Sequence, residues 1–208
     1  VKVEFKTITL DNEIEFKVAE DSSSGVAGCI WESGMIMLKH IQKQVEENPN
    51  FFKGKTVIEL GAGTGVAGMV LALHGADVIV TDLPEHVKLL DINIQENKHK
   101  FDGLITPRAL PLSWGTKFYE EEEELNKQFD ILVVADCIYN LKYAEPLLDS
   151  MAKLVHKNTE IYFPYTSRNE EGEKAWFQDV VMKAYEVKDV ETPEEFKTEK
   201  FTIWKPCK

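Results

Sequence analysis

Basic residues are scarce in this chain. Lys and Arg number 24 against 36 Asp and Glu, a formal net charge of -12 over 208 residues. A surface of that sign repels a phosphate backbone, so nucleic acid is not an expected partner. No stretch approaches the roughly 20 consecutive apolar residues that a membrane helix requires. The first residues alternate charge with hydrophobe, where a secretory leader is uniformly apolar. The expectation is a soluble, untargeted protein with no membrane partner. Cysteine is sparse too: Cys29, Cys137 and Cys207 contain no C-x-x-C pair, which argues against a disulfide framework and for a reducing compartment, the cytoplasm first and the nucleus left open. The histidines, His40, His74, His86, His99 and His156, show no metal-ligand spacing with the cysteines or acids. No metal is expected, and the histidines read as helix-surface or helix-terminal residues. Gly and Pro number only 12 and 8 and no internal repeat is visible, which excludes a fibrous or linker-rich chain. What is plentiful is core material, 43% hydrophobic and 10% aromatic residues. At about 150 residues per domain, the reading is one domain over residues 1–208, with residues 1–28 forming an N-terminal hairpin and loop and residues 29–208 the core.

Val1, Val3 and Phe5 alternate with charged residues, and after an Asp11-Asn12 turn signal so do Ile14, Phe16 and Val18, the period of a β-hairpin. A small-residue stretch over 19–28 follows. Trp31, Met35, Leu38, Ile41 and Val45 then recur at steps of three and four, predicting a half-buried helix ended by Asn48-Pro49-Asn50. Beyond it one pattern repeats: a β-branched run, a turn, an amphipathic stretch. The strand candidates are 56–60, 77–81, 104–110, 129–135 and 159–165; the helix candidates are 66–74, 85–98, 143–156 and 170–184. Such alternation implies right-handed crossovers and a mostly parallel sheet covered on both faces. The last two runs, 185–190 and 200–205, lie too close together for a buried helix and are expected to pair antiparallel. The fold class is therefore α/β, a Rossmann-like doubly wound sheet of about seven strands with a reversed strand near the C-terminus, plus the N-terminal hairpin. The acidic run 120–124 reads as a solvated face, with a role in holding a basic substrate as the alternative.

Val57-Ile58-Glu59-Leu60-Gly61-Ala62-Gly63-Thr64-Gly65 carries a β-branched strand into glycines just before a helix. Without Cβ atoms the backbone turns tightly and lies against a ligand. Residues 63–68 also satisfy G-x-G-x-x-G, a pattern that alone is weak evidence for a dinucleotide. Glu59 argues against one: a pyrophosphate at the helix N-terminus is a dianion, whereas S-adenosyl-L-methionine (SAM) has no phosphate and carries an ammonium and a sulfonium. The alternative for Glu59 is a carboxylate serving the loop's own N–H groups. Asp82 closes the next strand and can accept both hydroxyl hydrogens of an adenosine ribose. Its alternative is helix capping ahead of Leu83-Pro84, with Pro84 at the first helical position.

The nearly continuous apolar run over 129–135 ends in Asp136-Cys137-Ile138-Tyr139. In doubly wound sheets ligands lie beyond the carboxyl ends of the strands, so these residues face the methyl donor. An acid followed three residues later by an aromatic supplies an acceptor for an amine hydrogen and a π face for a cation. The alternatives are a loop cap for Asp136 and core packing for Tyr139. Cys137 reads as a small buried hydrophobe.

Together, Glu59 to Gly65, Asp82 and Asp136 to Tyr139 resemble the seven-strand SAM-dependent methyltransferases and, within them, the family 16 protein lysine methyltransferases. Gly28-Cys29-Ile30-Trp31, Leu112-Ser113-Trp114-Gly115 and Tyr165-Thr166-Ser167-Arg168 agree with that family in order. The resemblance covers roughly residues 25–168. It implies SAM contacts by Trp31, Glu59, Gly61, Ala62, Gly63, Asp82, Leu83, Trp114 and Ala135, and it places the catalytic candidates Asp136 and Tyr139 near an accepting lysine. Arg168 is expected either to bind a carboxylate or to form a surface ion pair. Residues 135–139 with Glu145-Pro146-Leu147-Leu148 are most similar to members acting on an AAA ATPase of the valosin-containing protein type, which implies a chaperone or AAA ATPase as protein partner and a monomeric enzyme. Amino methyltransferases of nucleobases usually carry two prolines where Cys137 and Ile138 stand, a departure that disfavours DNA and RNA. The function expected is SAM-dependent protein-lysine N-methylation. Rival readings are a small-molecule methyltransferase, a non-catalytic SAM-binding module and, from G-x-G-x-x-G alone, an NAD-dependent oxidoreductase.

Overall fold

The computed structural model describes residues 3–10, 13–21, 28–196 and 199–207. The first alternating segments form an antiparallel pair, β1 (Glu4–Thr9) and β2 (Glu15–Glu20). The Asp11-Asn12 turn signal and most of the stretch 19–28 lie outside the described residues. The expected alternation holds in β2, which buries Phe16 and Val18, but not in β1. There Ile8 is the buried residue, and Phe5 stays 42% exposed with the Lys17 ammonium 4.3 Å from its ring centroid.

Helix α1 (Glu32–Glu47) ends at Asn48 as expected and buries Leu38 and Ile41 of its period, with Met35 and Val45 partly buried; Trp31, at the N-terminal cap, is exposed, and the buried side is completed by Ile36 and Met37. His40, expected on a helix surface, lies one turn after Ile36 and shares its buried side. Its ring meets Tyr162 and Phe201 edge-on at 5.1 and 4.8 Å, and burial pulls the imidazole down to about 4.

The repeating pattern becomes β3 (Thr56–Leu60), α2 (Val66–Leu73), β4 (Asp77–Asp82), α3 (Val87–Glu96), β5 (Arg108–Pro111), the short α4 (Phe118–Glu121), β6 (Phe129–Val133), α5 (Ala144–Leu154), β7 (Val155–Thr166), α6 (Glu170–Trp176), α7 (Met182–Ala184), β8 (Tyr185–Val190) and β9 (Glu199–Pro206). The seven strands order as β5-β4-β3-β6-β7-β9-β8. Neighbours from β5 to β7 run parallel, and β9 runs antiparallel to both β7 and β8. The reversed strand is thus β9, one place in from the edge. Successive residues point to opposite faces, so Val57, Val78 and Ile131 enter one core with α1, α2 and the hairpin, while Ile58, Ile79 and Leu132 enter the other beneath α5.

Several boundaries move. The strand expected over 104–110 is Arg108–Pro111; Leu104 and Ile105 follow the Gly103 turn and are 40% and 51% exposed. β5 is an edge strand paired only with β4, so little of its apolar run needs the ladder. The helix expected over 170–184 is broken by a π-helical turn over 177–181 between α6 and α7. The acidic run spans the end of α4 and the turn after it. Phe118 and Leu125 anchor that turn in the core, and Glu120 and Glu124 pair with Lys117 and Arg108.

Asn93 on α3 locks the hairpin to the sheet's loop region. Its Oδ1 accepts from the Ala19 N–H at 2.6 Å, and its Nδ2 donates to Ala19 O at 3.1 Å and Thr64 O at 2.9 Å. One turn on, Asn97 exchanges the same pair of bonds with Lys17.

Candidate active site

The chain leaves β3 through three glycines in the left-handed region, Gly61, Gly63 and Gly65, with φ of 61°, 57° and 74°. Three glycines in this segment are also pressed by neighbours: a Cβ on Gly65 would stand 2.8 Å from Leu90 Cδ2. A Cβ on Gly61 would stand 3.0 Å from both Cys137 Sγ and Trp114 Cζ2, and one on Gly68 would stand 2.3 Å from Val80 Cγ1. The missing side chain at Gly68 lets α2 lie directly on β4.

Two carboxylates close the loop from beneath. Glu59 Oε2 accepts from the Gly68 N–H at 2.9 Å, and Asp82 Oδ2 accepts from the Gly63 N–H at 2.8 Å. Asp82 Oδ1 also accepts from the Leu83 N–H at 2.8 Å. Asp82 therefore braces the glycine loop. It does not cap a helix beginning at Pro84, because α3 starts at Val87 after a turn. Burial pushes Glu59 up to about 8, Asp82's charge adding to the shift, and burial also raises Asp82. At neutral pH the free protein therefore holds Glu59 largely protonated, so the exclusion of a pyrophosphate rests less on its charge than on occupied donors. Three N–H groups of the glycine segment that could otherwise meet a phosphate are already spent: Gly63 on Asp82, Gly68 on Glu59, and Gly65 on Ala62 O.

Beyond β6 the ladder continues through the Val134 and Asp136 N–H groups to Tyr162 O and Pro164 O of β7. Asp136 then turns with φ of 54°, a rarely occupied left-handed conformation that Asp tolerates better than most residues. Its carboxylate is gripped by Arg168, Nη1 to Oδ1 at 2.6 Å and Nη2 to Oδ2 at 2.7 Å. The two expectations for Arg168 coincide: it binds a carboxylate of the protein itself, in an ion pair whose arginine side chain is 35% exposed. Cys137 is buried, its thiol donates to Leu60 O at 3.2 Å, and burial raises it well above the usual thiol range, as a small packed residue requires. Tyr139 is 42% exposed and lies 5.9 Å from Tyr143, centroid to centroid; burial of its phenol raises it above the ordinary tyrosine value.

These segments enclose one cavity of about 730 Å³, and Trp31, Glu59, Gly61, Ala62, Gly63, Asp82, Leu83, Trp114, Ala135, Asp136 and Tyr139 all line it. The volume falls in the range of small-molecule sites. Trp31 stands at the N-terminal cap of α1 and Trp114 follows β5, so three separate connections bring the two indoles and the glycine loop together. His86, Tyr143 and Arg168 line the cavity as well, and the sequence singled out none of them for this wall. His86 and Tyr143 are the N-terminal cap residues of α3 and α5, a position no side-chain periodicity marks. Arg168 carried the signal of its place in the Tyr165 to Arg168 motif. Among the described residues no group of His, Cys, Asp and Glu is arranged to hold a metal ion, and no helix is long and apolar enough to cross a membrane.

The cavity suits a cationic nucleoside. Among its described lining residues Glu59 is held largely protonated by burial and Asp136 is paired with Arg168, which leaves Asp82 as the acid facing a cation and His86 as the other base. The order of the sheet, a glycine loop closed by acids and an acid-bearing turn after β6 define the seven-strand methyltransferase class. The solved structures agree on the fold. A T. thermophilus 16S rRNA methyltransferase in complex with AdoMet and guanosine superposes with a TM-score of 0.70 at 15% identity, covering 100% of this chain and 51% of that one. The magnesium protoporphyrin IX methyltransferase of Synechocystis with bound SAH gives 0.62 at 13% identity, over 84% and 83% of the two chains. The profile of the lysine methyltransferase family matches residues 10–183, and the chain belongs to that family. It is 31% identical over 157 residues to EEF1A lysine methyltransferase 3 of Xenopus tropicalis, covering 76% of this chain and 65% of that protein. It is likewise 31% identical over 163 residues to the protein-lysine methyltransferase METTL21E of Bos taurus, covering 78% and 54%. The chain thus spans somewhat more than half the length of these curated relatives.

Proposed function

We propose that this protein transfers a methyl group from SAM to the ε-amine of a lysine in a protein substrate. The observation that carries the reading is the two-sided cavity. On one side the Gly63 and Gly68 N–H groups are closed to phosphate by Asp82 and Glu59; on the other stand Asp136 and Tyr139. When bound, SAM supplies an electrophilic methyl on a sulfonium. On this reading Asp82 has lone pairs left for the ribose hydroxyls, and the Gly61 to Gly63 backbone lies against the methionyl part. Trp31, Trp114, Leu83 and Ala135 provide apolar walls that exclude water. Asp136 accepts a hydrogen of the incoming amine, and the Tyr139 face receives its positive character. Holding and desolvating the amine, more than strong base catalysis, is the work of this wall.

The substrate proposed is an AAA ATPase of the valosin-containing protein type, supported by the segment 135–139. Family relatives are named for other proteins, EEF1A in Xenopus and calmodulin in Arabidopsis, so all three belong in the test. The chain is proposed to work as a single-domain monomer in the cytoplasm, with the nucleus as a second location. Incubation with isotopically labelled SAM and cell lysate, followed by mass spectrometry, tests the reading. Label on lysine of a protein is expected; label confined to small molecules or nucleic acid overturns it.

A further inference from the structure

The acceptor wall holds an ion pair that the transfer just described does not explain. The Asp136 side chain is 8% exposed, and both its oxygens face the Arg168 guanidinium in a bidentate fork. The Thr166 N–H adds a bond to Oδ1 at 3.3 Å. A carboxylate offers about four acceptor positions; three are filled among the described residues, and the open one is on Oδ2. Arg168 is itself fixed. Its backbone N–H donates to Glu173 Oε1 at 2.8 Å, and its Nη1 also reaches Thr166 O at 3.3 Å. The carboxylate therefore has one orientation, set by a left-handed backbone below and a planar fork beside it.

Charge explains what such a fork would do. A lysine attacks only as the neutral amine, and an unpaired carboxylate beside it favours the ammonium, raising its pKa by about 1–3 units. A carboxylate already paired with guanidinium offers the hydrogen-bond acceptor without the net charge. We propose that Arg168 is a positioning residue for methyl transfer, which orients the Asp136 carboxylate and cancels its charge so that the bound lysine is held without being locked as an ammonium. The inference rests on the lysine methyltransferase reading. In the step it serves, the Nζ lone pair forms the new N–C bond while the methyl–sulfur bond breaks and sulfur keeps the electron pair. The proton shed by nitrogen leaves to water.

The other charged groups around the pair do not substitute for this. Glu173 of α6, with Lys200 acting on it, is taken up by the Ser167 hydroxyl and the Arg168 and Asn169 N–H groups. Glu199 of β9 accepts from the Thr166 hydroxyl at 2.7 Å and feels Glu32 of α1. Toward the cavity stand Glu59, Asp82, His86, Cys137 and Tyr139, with Lys142 over the Tyr143 ring at 4.5 Å. Among the described residues, Arg168 alone brings a cationic donor to Asp136.

The test is the pH dependence of methyl transfer by wild type, Arg168→Gln and Arg168→Lys, using as substrate the recombinant protein that the wild-type enzyme labels in lysate. Arg168→Gln is expected to keep SAM affinity within about twofold by calorimetry. Its kcat near neutral pH should fall by about 30-fold or more, and the rising limb of its pH profile should move up by about one unit, so that the deficit shrinks in alkali. Arg168→Lys keeps the charge without the fork, so its limb should stay at the wild-type position while its rate is only partly restored. A glutamine variant slowed equally at every pH, or within about twofold of wild type throughout, overturns the inference. If the glutamine variant loses SAM binding, the lysine variant decides alone, and an upward-shifted limb there overturns it. Failure of the underlying reading is visible separately, as wild-type enzyme that labels no protein lysine, and the inference falls with it.

Discussion

The Gly68 N–H donates to Glu59 Oε2 at 2.9 Å, and a Cβ on Gly68 would approach that same oxygen to 2.8 Å. The third glycine of the G-x-G-x-x-G pattern is thus a packing residue. It seats α2 on Val80 and on the carboxylate that closes the phosphate-type donors.

Gly68→Ala is accordingly expected to destabilise the protein by about 2–3 kcal/mol, since the added methyl meets Val80 in a closed core. Thermal unfolding followed by circular dichroism checks it; a melting point within a degree of wild type contradicts the packing account.

Glu59 gives a pH signature of stability. Its folded value, near 8, lies above the ordinary carboxylate value of 4.5. The contribution is therefore fully present below pH 4.5 and is lost as pH rises through 8. In the absence of SAM, wild type should lose stability between about pH 5 and pH 8.5 by at least ~1 kcal/mol more than Glu59→Gln, which cannot ionise. Denaturant titrations at several pH values measure the difference, and parallel curves for the two proteins refute it. Binding of a cation favours the ionised carboxylate, so SAM affinity should also rise over the same interval.

Asp82 and Asp136 should separate donor binding from turnover. Asp82→Ala releases the Gly63 and Leu83 N–H groups and is expected to weaken SAM by about tenfold or more. Asp136→Asn should hold SAM within about threefold and lose about 100-fold in kcat. Calorimetry with SAM beside single-turnover methylation distinguishes them; equal loss of SAM affinity in both variants contradicts the division.

Asn93→Leu should report on the link between hairpin and loop. It strips partners from the Ala19 N–H, Ala19 O and Thr64 O, at an expected cost of about 3 kcal/mol. Hydrogen exchange should quicken in β2 and in the glycine loop together. Exchange confined to β2 would show the two to be independent.

Much of this arrangement was legible from local patterns because the constraints are local. Three left-handed turns call for glycine at Gly61, Gly63 and Gly65, and a strand buried on both faces reads as the apolar run ending at Asp136. The family resemblance names cofactor and catalytic candidates that the fold does bring to one cavity, though not His86 or Tyr143. What stayed hidden depends on partners far along the chain. Asn93 looks like any polar helix residue until Ala19, 74 positions away, meets it. His40 falls between two rings that only the folded sheet brings to α1. Arg168 is an exposed charge like many others in sequence, and nothing in the spacing points its fork at a carboxylate 32 positions earlier. The start of β5 was misplaced because an apolar pair after a turn has the same appearance in a loop as on a sheet edge.

The strand order sets β3 and β6 side by side, with the glycine loop leaving one and the Asp136 turn leaving the other. The chain reverses its winding at that seam, so on the proposed reading the two co-reactants take opposite flanks of one scaffold. On that reading, retargeting such an enzyme is a matter of re-facing the outer surface of the β7–α6 flank while sparing Arg168, so that new surfaces are tried without disturbing how the methyl source is gripped.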